Sequence, residues 1–171
     1  MNARAIGVAV AVAVLAADQA TKAAVLSILP EGPATPIGPF LNLTLRWNQG
    51  VSFSLFTQNS AAGKAALLAL TLTATALLAW WLSRARSDVV AAGLGAIIGG
   101  ALGNAADRAT HGAVVDFLDL HAFGRHFFVF NLADAAINVG VALLLIDLVF
   151  GVHHTEDKKR PISQSGESGG G

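Results

Sequence analysis

Residues 99–138, GGALGNAADRATHGAVVDFLDLHAFGRHFFVFNLADAAIN, decide how this chain is read. They set Asp107, Asp116, Asp119 and Asp134 between two apolar segments. An unpaired carboxylate at the edge of hydrocarbon costs several kcal/mol, so groups of this kind mark a function or a buried partner. The segment before them, 89–106, is free of charge and repeats Gly95, Gly99 and Gly103 at every fourth position. On a helix those glycines form a flat face that lets a second backbone approach closely, which predicts a membrane helix packed inside a bundle. The segment after them, 133–152, predicts another span, with Asp134 and Asn138 near one end and Asp147 near the other. A helix rises about 1.5 Å per residue, so Asp134 and Asp147 sit roughly 20 Å apart and cannot share a site.

The composition agrees. Of 171 residues, 54% are hydrophobic and 13% charged, and the mean hydropathy is +0.59. A soluble domain carries about twice that charged fraction. The formal net charge is zero, which gives no basic excess for nucleic acid. The absence of cysteine removes thiol catalysis, disulfides and thiolate metal sites.

Working towards the N-terminus, 65–82 is a second uncharged segment, closed by Trp80 and Trp81 as an interfacial belt requires. The first, 5–29, is apolar apart from Asp18, Gln19 and Lys22. A cleaved signal peptide is its competing reading, but apolar residues resume after Lys22 and make it long enough to span. Asp18 and Lys22 stand four apart, so a helix puts them on one face where they neutralise each other. Prolines 30, 33, 36 and 39 end that helix. Beyond them Leu41, Leu43, Leu45 and Trp47 alternate with polar residues, Asn48-Gln49-Gly50 interrupts, and Val51, Phe53 and Leu55 alternate with Ser52 and Ser54. Period two about a turn predicts a β-hairpin over 40–56 with one apolar face, resting at the membrane interface.

The expected fold is an all-α integral membrane protein of four transmembrane helices with a small extracytoplasmic β-hairpin or sheet between helices 1 and 2. It forms one membrane domain over 1–152, with 107–131 read as a polar loop and 153–171 as a disordered tail. Arg4, Arg84, Arg86, Lys158, Lys159 and Arg160 crowd the side that holds both termini, whereas the longer opposite side has only Arg46, Lys64, Arg108 and Arg125. Basic residues favour the cytoplasm, so both termini are expected there, with the aspartates near the outer face.

Two carboxylates a few ångströms apart can activate water, because like charges so close cannot both ionise and one keeps its proton. Asp116 could pair with Asp119 or Asp134, and the residues alone leave that choice open. Asp134, in the first turn of the last helix, is expected to be the more easily ionised member of a pair with Asp116, because a helix N-terminus favours an anion. Full activity in Asp134→Asn would refute this. Asp107-Arg108 reads as an ion pair or helix end, and Asp18 with Lys22 as a paired support. Asn48, Asn104 and Asn131 suit either turns and caps or a hold on substrate backbone. His111, His121 and His126 raise a metal site, but no H-E-x-x-H helix accompanies them and no metal is expected. Ser52 and Ser54 lack a base. A proton-coupled transporter would place its ionisable groups near the midplane, often in repeated halves, whereas a scaffold would use only the glycine face and tolerate Asp116→Asn and Asp134→Asn.

Five stretches in order carry a resemblance: Asp18-Gln19-Ala20-Thr21-Lys22, Asn48 to Phe53 (NQGVSF), Gly103 to Arg108 (GNAADR), Val114-Val115-Asp116-Phe117, and Phe130-Asn131-Leu132-Ala133-Asp134. On a four-span frame they resemble the prokaryotic lipoprotein signal peptidases, the type II signal peptidases, over essentially all of 1–152. The resemblance implies an aspartic peptidase of the bacterial inner membrane, working without cofactor as a monomer among membrane lipids. Its substrates would be diacylglyceryl-modified prolipoproteins, cut just before the lipidated cysteine. The family's catalytic pair falls on Asp116 and Asp134. Its supporting and substrate-binding positions fall on Asp18, Lys22, Asn48, Gly50, Asn104, Asp107, Arg108, Asn131 and Ala133. The interfacial hairpin, with Trp47 and Phe53 at the lipid boundary, would clamp the substrate.

Overall fold

The computed structural model describes residues 2–31, 33–50 and 61–157. They form four helices, α1 (Ala3–Ile28), α2 (Ala61–Leu82), α3 (Asp88–His111) and α4 (Leu132–Asp157), and four strands, β1 (Thr35–Pro36), β2 (Leu41–Asn48), β3 (Val114–Ala122) and β4 (Arg125–Phe130). All four helices are long and apolar enough to cross a membrane. A small sheet between α1 and α2 is present as expected.

Helix ends follow local chemistry. Asn2 accepts the Ala5 N–H to cap α1, and Ser87 accepts the Val90 N–H to cap α3, with Asp88 in its first turn. Gly112, at φ 72°, closes α3 in the left-handed conformation by donating its N–H to the Arg108 carbonyl. At the opposite, N-terminal end of α3, Ser87 also donates to Asp147, 2.8 Å away, which accounts for the remote aspartate of α4.

α3 is the central post and packs against each of the other helices. Its glycines explain how. A side-chain carbon at Gly95 or Gly99 would strike the backbone of α1 at Gly7 or Ala11, and one at Gly103 would strike the Asp18 carboxylate. A second set, Gly93 and Gly100, meets α4 at Gly140 and Ala133. The sequence repeat thus faces α1, and α4 uses glycines outside that repeat.

The sheet runs β1-β2-β3-β4, antiparallel throughout. Here the structure corrects the expectation for 107–131. That stretch is the last turn of α3 followed by a β3–β4 hairpin, turned at Phe123 and Gly124, both at positive φ. β3 was illegible as a strand because both of its faces are buried from Val114 to Phe117, so it shows no apolar–polar alternation. β2 pairs with β1 and β3; the second arm of the hairpin read over 40–56 lies outside the described residues. Val25, Leu45, Val115 and Phe117 form a core that fixes the sheet to the end of α1. α4 continues through 153–157, which the sequence suggested as tail.

Candidate active site

The site assembles where α1 nears its end, α3 finishes and α4 begins. Lys22, 2% exposed, places its ammonium 2.8 Å from Asp18, 2.8 Å from Asp107 and 3.1 Å from the Asn104 side-chain oxygen. An ammonium has three donors, and here each has an acceptor. The i,i+4 pair expected on α1 is therefore present, and Asp107 joins it from α3. Asp107 takes Lys22 as its ion-pair partner in place of the neighbouring Arg108, and also accepts the N–H of Val115, the second residue of β3. Gln19, whose side chain sequence reasoning left without a role, donates to both Asp18 and Asp107.

Asp18 has a second duty. Its other oxygen accepts the Ala133 N–H at 3.0 Å, so a carboxylate from α1 satisfies a free donor at the start of α4. Asn131 caps the same helix: its side-chain oxygen accepts the Asp134 N–H at 2.9 Å, and the Asp134 carboxylate accepts the Asn131 N–H at 3.3 Å. This reciprocal arrangement is a capping box built from Asn and Asp. Its sequence signal was legible as Asn131 three residues ahead of Asp134.

Two amides then link the candidate carboxylates. Asn104, its oxygen oriented by Lys22, donates to Asp134 at 2.8 Å. Asn131 donates to Asp116 at 2.7 Å and to the Asn104 oxygen at 3.1 Å. Asn48 donates to the other Asp116 oxygen at 2.9 Å while its own oxygen accepts the Gly50 N–H. Asn48 thus acts as a turn residue, one of the two roles considered for it, and braces the Asp116 carboxyl. Gly50 is required as glycine by its φ of 102°. The Arg108 guanidinium lies within electrostatic reach of Asp134, Asp107 and Asp116, and donates to the Asn104 carbonyl.

Asp116 and Asp134 accordingly meet on one amide network, from a strand and a helix eighteen positions apart. Burial pushes the Asp116 carboxyl up to about 6; hydrogen bonds from Asn48 and Asn131 oppose the rise and the charge of Asp134 adds to it. Asp119 does not join them. It sits on the other face of β3, where Asn42 donates to it at 3.1 Å and His126 lies 2.7 Å away. Asn42 and His126 had not been singled out as its partners. Burial raises the Asp119 carboxyl, but those hydrogen bonds and the charges of His126 and His121 outweigh it, leaving it below the usual range. His121 stacks near His126, and His111 pairs with Thr110 and the Trp47 ring, so the three histidines are divided between two places. Trp47 also donates to Glu31 at 2.6 Å. Ser52, Ser54 and Phe53 lie outside the described residues.

Beside Asp134 opens a groove of about 540 Å³, lined by Phe128 and Phe130 of β4 and by Ala135, Ile137 and Asn138 of α4. Fold and site together describe a multi-pass membrane protein with one carboxyl on β3 and another in the first turn of α4, next to a largely apolar groove.

Comparison with known proteins places this class. Residues 10–150 match the family described as signal peptidase (SPase) II, and the chain belongs to that family. A lipoprotein signal peptidase of Methylobacterium sp. (strain 4-46) is 43% identical over 91% of this chain and 96% of its own length. One from Methylocella silvestris is 47% identical over 88% and 89%. A solved bacterial membrane enzyme, determined by the in meso method at 1.9 Å resolution, superposes with a TM-score of 0.73 at 30% identity, covering 83% of this chain and 91% of the other.

Proposed function

We propose that this protein is an aspartic endopeptidase of the bacterial inner membrane that removes the signal peptide from diacylglyceryl-modified prolipoproteins, cutting before the lipidated cysteine. The observation that carries the reading is the convergence of Asp116 and Asp134 on the linked amides of Asn104 and Asn131. Family membership and the similarity to lipoprotein signal peptidases support the substrate class.

In this mechanism Asp134 is the carboxylate and Asp116 carries the proton. Asp134 takes a proton from water as its oxygen attacks the scissile carbonyl, and Asp116 gives its proton to the carbonyl oxygen. Collapse of the tetrahedral adduct returns a proton to Asp116, while Asp134 delivers its own to the leaving nitrogen as the C–N bond breaks. Burial already holds Asp116 at about 6, and substrate covering the site strips further water and pushes in the same direction. The Lys22 centre acts at one remove, orienting Asn104 and so both carboxyls.

The distribution of Arg4, Arg84, Arg86 and Lys158–Arg160 supports cytoplasmic termini and a site near the outer face. There, acyl chains of a lipidated cysteine lie in the outer leaflet and bring the scissile bond to the depth where helices end. The enzyme acts as a monomer, which its mass in detergent would test. The deciding experiment incubates purified protein with a diacylglyceryl-modified prolipoprotein and with its unmodified form, beside Asp116→Asn and Asp134→Asn. Cleavage of the modified form by wild type alone is expected; cleavage by either variant at the wild-type rate would overturn the assignment.

A further inference from the structure

The groove beside Asp134 has one polar wall residue that the proposed chemistry leaves unused. Asn138 follows Asp134 by four positions on α4, so the two share a helix face and both line the groove. At about 1.5 Å per residue Asn138 lies roughly 6 Å further along the helix, toward the membrane interior. The other lining residues, Phe128, Phe130, Ala135 and Ile137, are apolar. Asn138 is exposed, and its amide makes no hydrogen bond to a described residue. Lipid tails offer an amide nothing, and an apolar medium penalises one left unpaired.

A signal peptide brings the complementary need. While helical it satisfies its own backbone, but a peptidase must hold the scissile segment extended, so the peptide's helix has to end before the cut. The last four carbonyls of a helix have no intrahelical partner, and here they would fall within the membrane on the upstream side of the scissile bond. An extended chain rises about 3.3 Å per residue and a helix about 1.5 Å. A distance of roughly 6 Å from Asp134 therefore reaches carbonyls about two to four residues before the cut.

We propose that Asn138 is a substrate-binding residue whose side-chain amide donates to one of these unpaired signal-peptide carbonyls, fixing how deep the peptide sits relative to Asp116 and Asp134. The inference rests on the peptidase reading above and adds to it a contact for the departing half of the substrate. A hydrogen bond made equally in the bound substrate and the transition state acts on KM rather than kcat.

The test uses full-length enzyme and synthetic diacylglyceryl-modified prolipoprotein peptides in detergent. A parallel set replaces single backbone amides with esters, weakening as acceptors the carbonyls two, three and four residues before the cut. Asn138→Leu is expected to raise KM about tenfold, roughly one hydrogen bond, with kcat within twofold. Asn138→Gln, which keeps the amide, restores part of that. In wild type one ester substitution raises KM by a similar factor; in Asn138→Leu the same ester has no effect. An unchanged KM in Asn138→Leu, or an ester penalty equal in the two enzymes, would overturn the proposal. Asp116→Asn and Asp134→Asn run alongside: if they stay inactive while the Asn138 coupling is absent, only this inference fails, whereas activity in them removes the peptidase mechanism itself.

Discussion

Asp116 and Asp119 stand three residues apart on β3, are each 2% exposed, and live in opposite environments. Burial, reinforced by the charge of Asp134, makes Asp116 bind its proton more tightly than usual, against the opposing hydrogen bonds from Asn48 and Asn131. Asp119 faces Asn42 and two histidines and holds its proton less tightly. Three steps along a strand reverse the face, and each face is packed against different partners. The same side chain thus binds its proton more tightly in one place and less tightly in the other, which teaches that acidity here is set by neighbours and not by residue type.

The sharpest way to break the contrast is by neutralising each acid in turn. Asp116→Asn and Asp134→Asn should each lower kcat by roughly 10³-fold or more with the protein still folded, the loss expected for removing a general acid or base. Asp119→Asn should stay within about tenfold of wild type in the same cleavage assay. Comparable losses in all three would erase the distinction.

The next effect falls on the support behind Asp116. Lys22→Met leaves Asp18 and Asp107 buried without their cation, and should destabilise by about 3–5 kcal/mol. Thermal unfolding in detergent would read this, with activity falling in step. A shift smaller than about 1 kcal/mol would mean that the carboxylates find other partners.

Asn48→Ala removes one donor to Asp116 and the brace to Gly50, without touching the Asp119 face. A loss of about tenfold in kcat/KM is expected, equivalent to one hydrogen bond. Asn42→Ala, the matching change on the other face, should alter stability and leave turnover nearly unmoved.

The smallest effect is in pH-dependent stability, and its sign differs between the faces. Asp116 has a folded value of about 6 against 3.8. Its contribution is most favourable below 3.8 and is lost as pH rises through about 6. The melting temperature of Asp116→Asn should therefore gain on wild type by a few degrees from pH 4 to 7. Asp119, held below its usual value, stabilises the fold above 3.8 and loses that contribution on further acidification. Asp119→Asn should consequently gain on wild type only below about pH 4.

Much of the frame was legible because it depends on near neighbours. Uncharged runs marked the helices, Gly95-Gly99-Gly103 marked the face that receives α1, and the four-residue spacing of Asp18 and Lys22 marked their ion pair. β2 declared itself by alternation of residue type, although the structure buries its polar Asn42 and Thr44 more deeply than Leu41 and Leu43. β3 did not, because burial on both sides removes the period that a strand otherwise shows. The Lys22–Asp107 pair was equally hidden: Asp107 sits beside Arg108 in the chain, and nothing local says that its carboxylate turns to α1. Gln19 and Asn42 were passed over for the same reason, as ordinary polar residues whose partners come from distant elements.

By itself the sequence determined four apolar helices, the supply of carboxylates between the last two, and the small residues that allow close packing, since each follows from local period and composition. Only the tertiary structure decided that Asp116 meets Asp134 while Asp119 turns away. That choice depends on the two-residue period of a strand the pattern did not reveal, and on α3 bringing Asn104 and Asp107 to Lys22.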